Sequence, residues 1–135
     1  MIEKDVNINA CMSCGVHWII ELSGCDFSTL NNKKVIASTL NAVCAAGAFT
    51  KLNSVEHSFS PHGITMLYLL SESHISIHTW PEHGYAAIDV FTCGTPPSEK
   101  LIVEALQANL NPKHYDIKKL QRGFVSFPVK QVVPA

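Results

Sequence analysis

The chain has 135 residues, with 10 Lys and Arg against 11 Asp and Glu, a formal charge of −1 and 47% hydrophobic residues. That length suits one domain with a real core, and the balanced charge, with no basic run, argues against nucleic acid or an anionic membrane surface as the main partner. No apolar stretch approaches the ~20 residues of a membrane span, Met1-Ile2-Glu3-Lys4-Asp5 is too polar for a signal peptide, and five cysteines, an odd number, read as free thiols in a cytoplasmic protein.

Residues 1–14 read as an irregular lead-in. Cys11-x-x-Cys14 has the spacing of half a zinc or redox motif; it has no second pair, and two incidental thiols are the simpler reading. His17 to Leu22 reads as a mostly buried strand, and Ser23-Gly24-Cys25-Asp26 turns the chain. Asn31 to Ala46 reads as a helix, because Val35, Ile36, Leu40, Val43 and Cys44 fall on one apolar face. Gly47 is its expected stop. Leu52 to Phe59 alternates as a strand does, Ser60-Pro61-His62-Gly63 is a turn, and Ile64 to Leu70 is a further strand, so this part reads as an antiparallel hairpin.

Residues 74–78 alternate His, Ile, Ser, Ile, His, which makes a strand with the histidines on one face. On a strand, His74 and His78 stand ~13 Å apart, too far to share one zinc with bonds of ~2.1 Å. Polar residues at a sheet edge are the plain alternative for both. Trp80-Pro81-Glu82-His83-Gly84 is a loop into a strand from Tyr85 to Phe91. Asp89 inside that apolar run needs a partner, so it is either functional or an edge residue. Thr95 caps a second helix with Pro96 in its first turn; the helix runs to about Asn109 and ends at Asn111-Pro112. Tyr115 to Arg122 is a last polar strand, and 123–135 a tail. His57, His62, His83 and His114 read as ordinary surface residues.

The order β-α-β-β-β-β-α-β is that of an α+β two-layer sandwich, an antiparallel sheet with two helices on one face. No dinucleotide, P-loop or zinc-protease fingerprint is present, and no cofactor-lysine motif favours pyridoxal phosphate. The chemistry concentrates in Ser71-Glu72-Ser73-His74 and the residues after it. A serine with a nearby histidine can act as a nucleophile. If Ser73 attacks the Glu72 carbonyl, the peptide becomes an ester. Loss of the serine Cα proton then breaks the chain, and the dehydroalanine left behind loses ammonia to become a pyruvoyl group, a ketone able to serve as an electron sink. Cys93 is either one more buried thiol or part of that chemistry.

The run Ser71-Glu72-Ser73-His74-x-x-Ile77-His78-Thr79-Trp80-Pro81-Glu82, followed by Asp89-x-Phe91-Thr92-Cys93-Gly94, resembles the short prokaryotic S-adenosylmethionine decarboxylases. These are self-processing pyruvoyl enzymes of polyamine synthesis. Gly15-x-His17, Gly24-Cys25-Asp26 and Phe59-Ser60-Pro61-x-Gly63 extend the likeness over roughly residues 15–122.

The resemblance implies cleavage between Glu72 and Ser73, giving fragments 1–72 and 73–135, with Ser73 becoming the pyruvoyl group and Schiff-base carbon. It implies that His78 takes the serine Cα proton and that Cys93 returns a proton to the substrate carbon after carbon dioxide leaves. Phe59 would stack on the adenine, and Glu82 would bind the ribose hydroxyls. Thr65 stands where the family usually has a serine that aids processing; it keeps the hydroxyl but adds a methyl and a stiffer χ1. A homodimer of processed protomers is expected, with active sites near the subunit interface. The alternatives are the same chemistry on arginine or ornithine, and a regulatory homologue that never cuts itself. Phe59 and Glu82 favour the nucleoside substrate over a plain amino acid, and intact Ser73, His78 and Cys93 weigh against the non-catalytic reading.

Overall fold

The computed structural model describes residues 13–94 and 97–124. Strand β1 (Ser13–Ser23) leads into a one-turn helix α1 (Phe27–Leu30) and then into helix α2 (Lys33–Gly47). Strands β2 (Lys51–Ser58), β3 (Ile64–Leu70) and β4 (Ser73–Trp80) follow. A 3-10 turn (Pro81–His83) reaches β5 (Tyr85–Cys93), and helix α3 (Glu99–Leu110) and strand β6 (His114–Phe124) are the last elements among the described residues. The six strands form one antiparallel sheet in the order β2-β3-β4-β5-β1-β6. This is the expected α+β architecture.

Strand alternation sorts the residues between the two faces. Val16, Trp18, Ile20 and Leu22 of β1 are buried, as are Ile64, Met66, Tyr68 and Leu70 of β3, Ile75 and Ile77 of β4, and Ala86, Ile88 and Val90 of β5. They meet Ile36, Leu40 and Val43 of α2 and Ile102, Leu106 and Leu110 of α3 in one core. Thr39 and Thr79, also buried, are satisfied by donating to the Val35 carbonyl at 2.7 Å and the Leu30 carbonyl at 2.9 Å. Leu40 has no exposed surface, so Leu40→Ala should destabilise the fold by about 2–5 kcal/mol, a loss read from the urea unfolding midpoint.

Several details depart from the sequence expectations. Helix α2 starts at Lys33, not Asn31, because the Asn32 side chain caps it, accepting from Lys34 N–H and Val35 N–H at 3.0 and 3.3 Å. Gly47 is still helical, and Ala48 makes the left-handed stop at φ 53°. Helix α3 begins at Glu99 behind Ser98, whose Oγ accepts from Leu101 N–H; Thr95, expected to cap it, and Pro96, expected in its first turn, lie outside the described residues, as do Cys11 and most of the lead-in and tail. Strands β1 and β6 are longer than expected because they pair with each other over almost their whole length. β2 alternates in sequence, yet all eight of its residues are exposed. It is the edge strand beside β3, and with both of its faces exposed its alternation marks no buried side.

Candidate active site

The β3–β4 connection is as short as a hairpin allows. Leu70 pairs with Ser73, which leaves only Ser71 and Glu72 to turn the chain. Ser73 has φ 140°, a value that L-residues rarely adopt. The turn is clipped from two sides. Ser71 N–H donates to the Thr50 carbonyl at 2.9 Å, and Thr50 N–H donates to both Glu72 carboxylate oxygens at 3.1 and 3.2 Å. That backbone donor holds the Glu72 carboxyl below the usual carboxylate range. The carboxylate end of the clip is therefore present at neutral pH and lost as pH falls through the lowered value.

The backbone carbonyl of Glu72, the one that joins it to Ser73, accepts the Cys93 N–H at 2.8 Å. A donor at that distance polarises the carbon toward a nucleophile and stabilises negative charge that develops on the oxygen. Cys93 itself ends β5 with its free thiol exposed. Glu72, Ser73 and Cys93, three residues singled out from sequence, thus meet at one end of β4.

A second cluster sits at the other end of the same strand. Thr65 and His78 are partners in register, and Thr65 Oγ1 lies 2.9 Å from His78 Nδ1. They face a cavity of about 370 Å³ that Phe59, His62, Trp80 and Glu82 also line. The Trp80 ring stacks on Tyr85 at 5.3 Å between centroids. Tyr85 in turn donates its hydroxyl to Glu21, and that carboxylate pushes the phenol up to about 12. Phe59 stands half out of the protein, 52% exposed, at the lip of the cavity. Its N–H donates to the Gly63 carbonyl at 2.8 Å, and Gly63 N–H donates to Asn31 Oδ1 at 3.0 Å, so the turn carrying it is pinned to the end of α1. An apolar ring beside a carboxylate can take a flat base and a sugar hydroxyl together. The sequence pointed to Phe59 and Glu82 but not to Trp80 or His62. For Trp80 the available signal was its place between two motif residues; for His62 there was none.

The two clusters do not meet within one protomer. Ser73 and His78 are five residues apart on one strand, about 16 Å. They also belong to opposite alternation sets: Ile75, Ile77 and Thr79 point to the helices, whereas His78 shares a row with Thr65 on the open face. Between the clusters, Asp89 has the partner that its place requires. His17 Nε2 lies 2.8 Å away, and Ser76 Oγ donates to it at 3.3 Å. Since β4 and β5 are interior strands, neither Asp89 nor the two histidines of β4 lie at a sheet edge. The His74 ring rests against Phe91 at 5.7 Å and His17 at 6.5 Å.

The family model of S-adenosylmethionine decarboxylase matches residues 16–123. A Prochlorococcus marinus protein named S-adenosylmethionine decarboxylase proenzyme is 44% identical over 108 residues, 80% of this chain and 86% of its own. A Methanococcus maripaludis protein of the same name is 46% identical over 112 residues, 82% of this chain and 91% of its own. The crystal structure of the Aquifex aeolicus adenosylmethionine decarboxylase superposes with a TM-score of 0.78 at 38% identity, covering 89% of this chain and 99% of that one.

Proposed function

Because the chain belongs to the S-adenosylmethionine decarboxylase family, we propose that it cuts itself between Glu72 and Ser73 and then decarboxylates S-adenosylmethionine, making the aminopropyl donor for spermidine. The observation that carries this reading is the Glu72 carbonyl, set on the Cys93 N–H at a two-residue turn with Ser73 at φ 140°. Ser73 Oγ attacks that carbon, and the Cys93 N–H takes the charge forming on oxygen. The C–N bond breaks and the amine is protonated, leaving an ester. Loss of the Ser73 Cα proton then expels the Glu72 carboxylate, and water replaces nitrogen as ammonia on the new terminus. A pyruvoyl group so placed supplies a ketone that condenses with the substrate amine and accepts the electron pair left by carbon dioxide.

No group of the Thr65–His78 cluster reaches Ser73 of its own protomer, so the base must come from elsewhere. The open face of the sheet offers the route. Leu67, Leu69 and Val55 are exposed on it and line a groove of about 390 Å³. Two copies stacked through this face about a two-fold axis, with their β4 strands antiparallel, bring each hairpin turn against the far end of the other β4. His78 of the partner subunit then takes the Cα proton of Ser73, with Thr65 of the partner subunit holding the imidazole through Nδ1. The cavity at Phe59, Trp80 and Glu82 binds adenosine, and the Cys93 thiol returns a proton to the substrate carbon. The aromatics beside a carboxylate favour a nucleoside over arginine or ornithine, which need neither. Among the described residues no helix is long and apolar enough to cross a membrane, and the exposed Cys93 thiol suits a reducing cytoplasm.

The intact mass of freshly purified protein tests this. Two fragments are expected, 1–72 and 73–135, the second lighter than its serine form by one ammonia, with carbon dioxide released from S-adenosylmethionine and not from arginine or ornithine. A single uncut chain would overturn the reading. Cys93→Ala separates backbone from side chain. It keeps the N–H and should still cut itself, while decarboxylation falls by about a hundredfold or more with loss of the proton donor, measured as carbon dioxide released per cleaved chain.

A further inference from the structure

His62 has no role in the chemistry above, and its sequence context suggests none. Its surroundings do. It sits in the turn between β2 and β3, half-buried, with Nε2 2.8 Å from Glu82 Oε2. The Phe27 ring of α1 packs edge-on against the imidazole at 5.3 Å. The turn itself cannot drift, since Phe59 N–H and Gly63 N–H are both engaged. Gly63 has φ 107°, and a Cβ there would stand 3.2 Å from the Thr79 carbonyl, so the turn lies tight on β4. By contrast, Glu82 rides on a single 3-10 turn, and His62 is its one side-chain partner among the described residues.

A free glutamate on such a turn would sample several rotamers, and recognition of two vicinal hydroxyls needs one of them. We propose that His62 is the positioning residue for ribose recognition: its Nε2–H holds Glu82 Oε2, so that Oε1 and the remaining lone pair of Oε2 present a fixed pair of acceptors to the 2′- and 3′-hydroxyls. The proposal rests on the nucleoside reading of the cavity and adds the reason for its selectivity. A carboxylate has about four acceptor directions; tying one of them selects which of the rest face the cavity. Phe27 fixes the imidazole, and through it the register of the carboxylate with the ring of Phe59. A deoxyribose presents one hydroxyl where the held carboxylate offers two acceptors, and the unpaired acceptor then weighs against it.

Adenosine and 2′-deoxyadenosine are the probes, bound at equilibrium to the full-length protein as purified, alongside steady-state turnover of S-adenosylmethionine. The wild type should prefer adenosine. In His62→Ala that preference should largely vanish, and KM for S-adenosylmethionine should rise about tenfold while kcat changes by less than about twofold, the signature of lost uniform binding. His62→Gln, whose amide can still reach Glu82, should recover most of both, which a role in bulk folding would not predict. His62→Asn, with a shorter reach, should behave as the alanine variant and makes the same comparison if His62→Ala does not fold. An unchanged adenosine preference and KM in His62→Ala would overturn the proposal, as would a wild type indifferent to the 2′-hydroxyl. Failure of the decarboxylase reading would look different: wild-type protein that prefers adenosine but releases no carbon dioxide from S-adenosylmethionine.

Discussion

Ser73→Ala is expected to remain one chain of 135 residues and to release no carbon dioxide from S-adenosylmethionine. The reason lies in the hairpin. The Glu72 carbonyl is held on the Cys93 N–H, and that hydrogen bond is made by backbone, so the substitution leaves it intact. The φ of 140° is also unchanged, because alanine is as poorly suited to it as serine. Only Oγ is removed. No substitute stands ready: the Ser71 side chain precedes Glu72, and Cys93 reaches the turn through its N–H. The effect should therefore be all-or-none, read on a denaturing gel and by intact mass. Fragments at 1–72 and 73–135 in this variant would mean that another group attacks the carbonyl. Ser73→Gly would share the block while relieving the backbone, and should be the more stable of the two.

Mixing two inactive variants should restore cleavage. Ser73→Ala lacks the nucleophile, and His78→Ala lacks the base, so each alone is expected to stay uncut. In a dimer that joins one of each, one active site has Ser73 from the His78→Ala chain and His78 from the Ser73→Ala chain, and is complete. The other site lacks both. Random pairing makes half of the dimers mixed, so about a quarter of all chains should be cut, every one of them a His78→Ala chain. Co-expression with differently sized tags identifies which chain was cut. No cutting at all would mean that His78 serves its own Ser73, against the distance of about 16 Å along β4. The arrangement also implies that dilution below the dimer affinity stops processing of the wild type.

Much of this was legible in the sequence. Apolar periodicity places the two long helices and the strands because their buried faces pack against one core, and burial is what periodicity records. Where burial is absent the signal fades: β2 shows alternation with no buried side, and α1 is too short to have a face. Helix starts shifted by two to four residues because competing cap residues stand close together, Asn31 beside Asn32 and Thr95 near Ser98, and only hydrogen bonding chooses between them. The candidate site was legible as a set of residues but not as a place. Ser73 and His78 look adjacent in the motif, yet the strand rise that keeps His74 and His78 from sharing a metal also keeps Ser73 from His78. His62 and Glu82 lie 20 positions apart in turns with no repeating pattern, so only their coordinates join them.

The two-residue turn between β3 and β4 has a further consequence, for the life history of the molecule. A cut there divides neighbouring strands of one sheet between two polypeptides, one carrying β1, α1, α2, β2 and β3 and the other β4, β5, α3 and β6. Before the cut, β4 closes on β3 as an intramolecular event whose likelihood is independent of concentration. After it, the same pairing is an encounter between separate molecules. The newly made polypeptide can unfold and find its structure again; the finished enzyme, once melted, must reassemble from fragments at whatever dilution it meets. If the chain is cut there as proposed, assembly information is written in a connection that exists only until it has been used, and the working lifetime of the mature protein is set by how slowly it opens rather than by how readily it refolds.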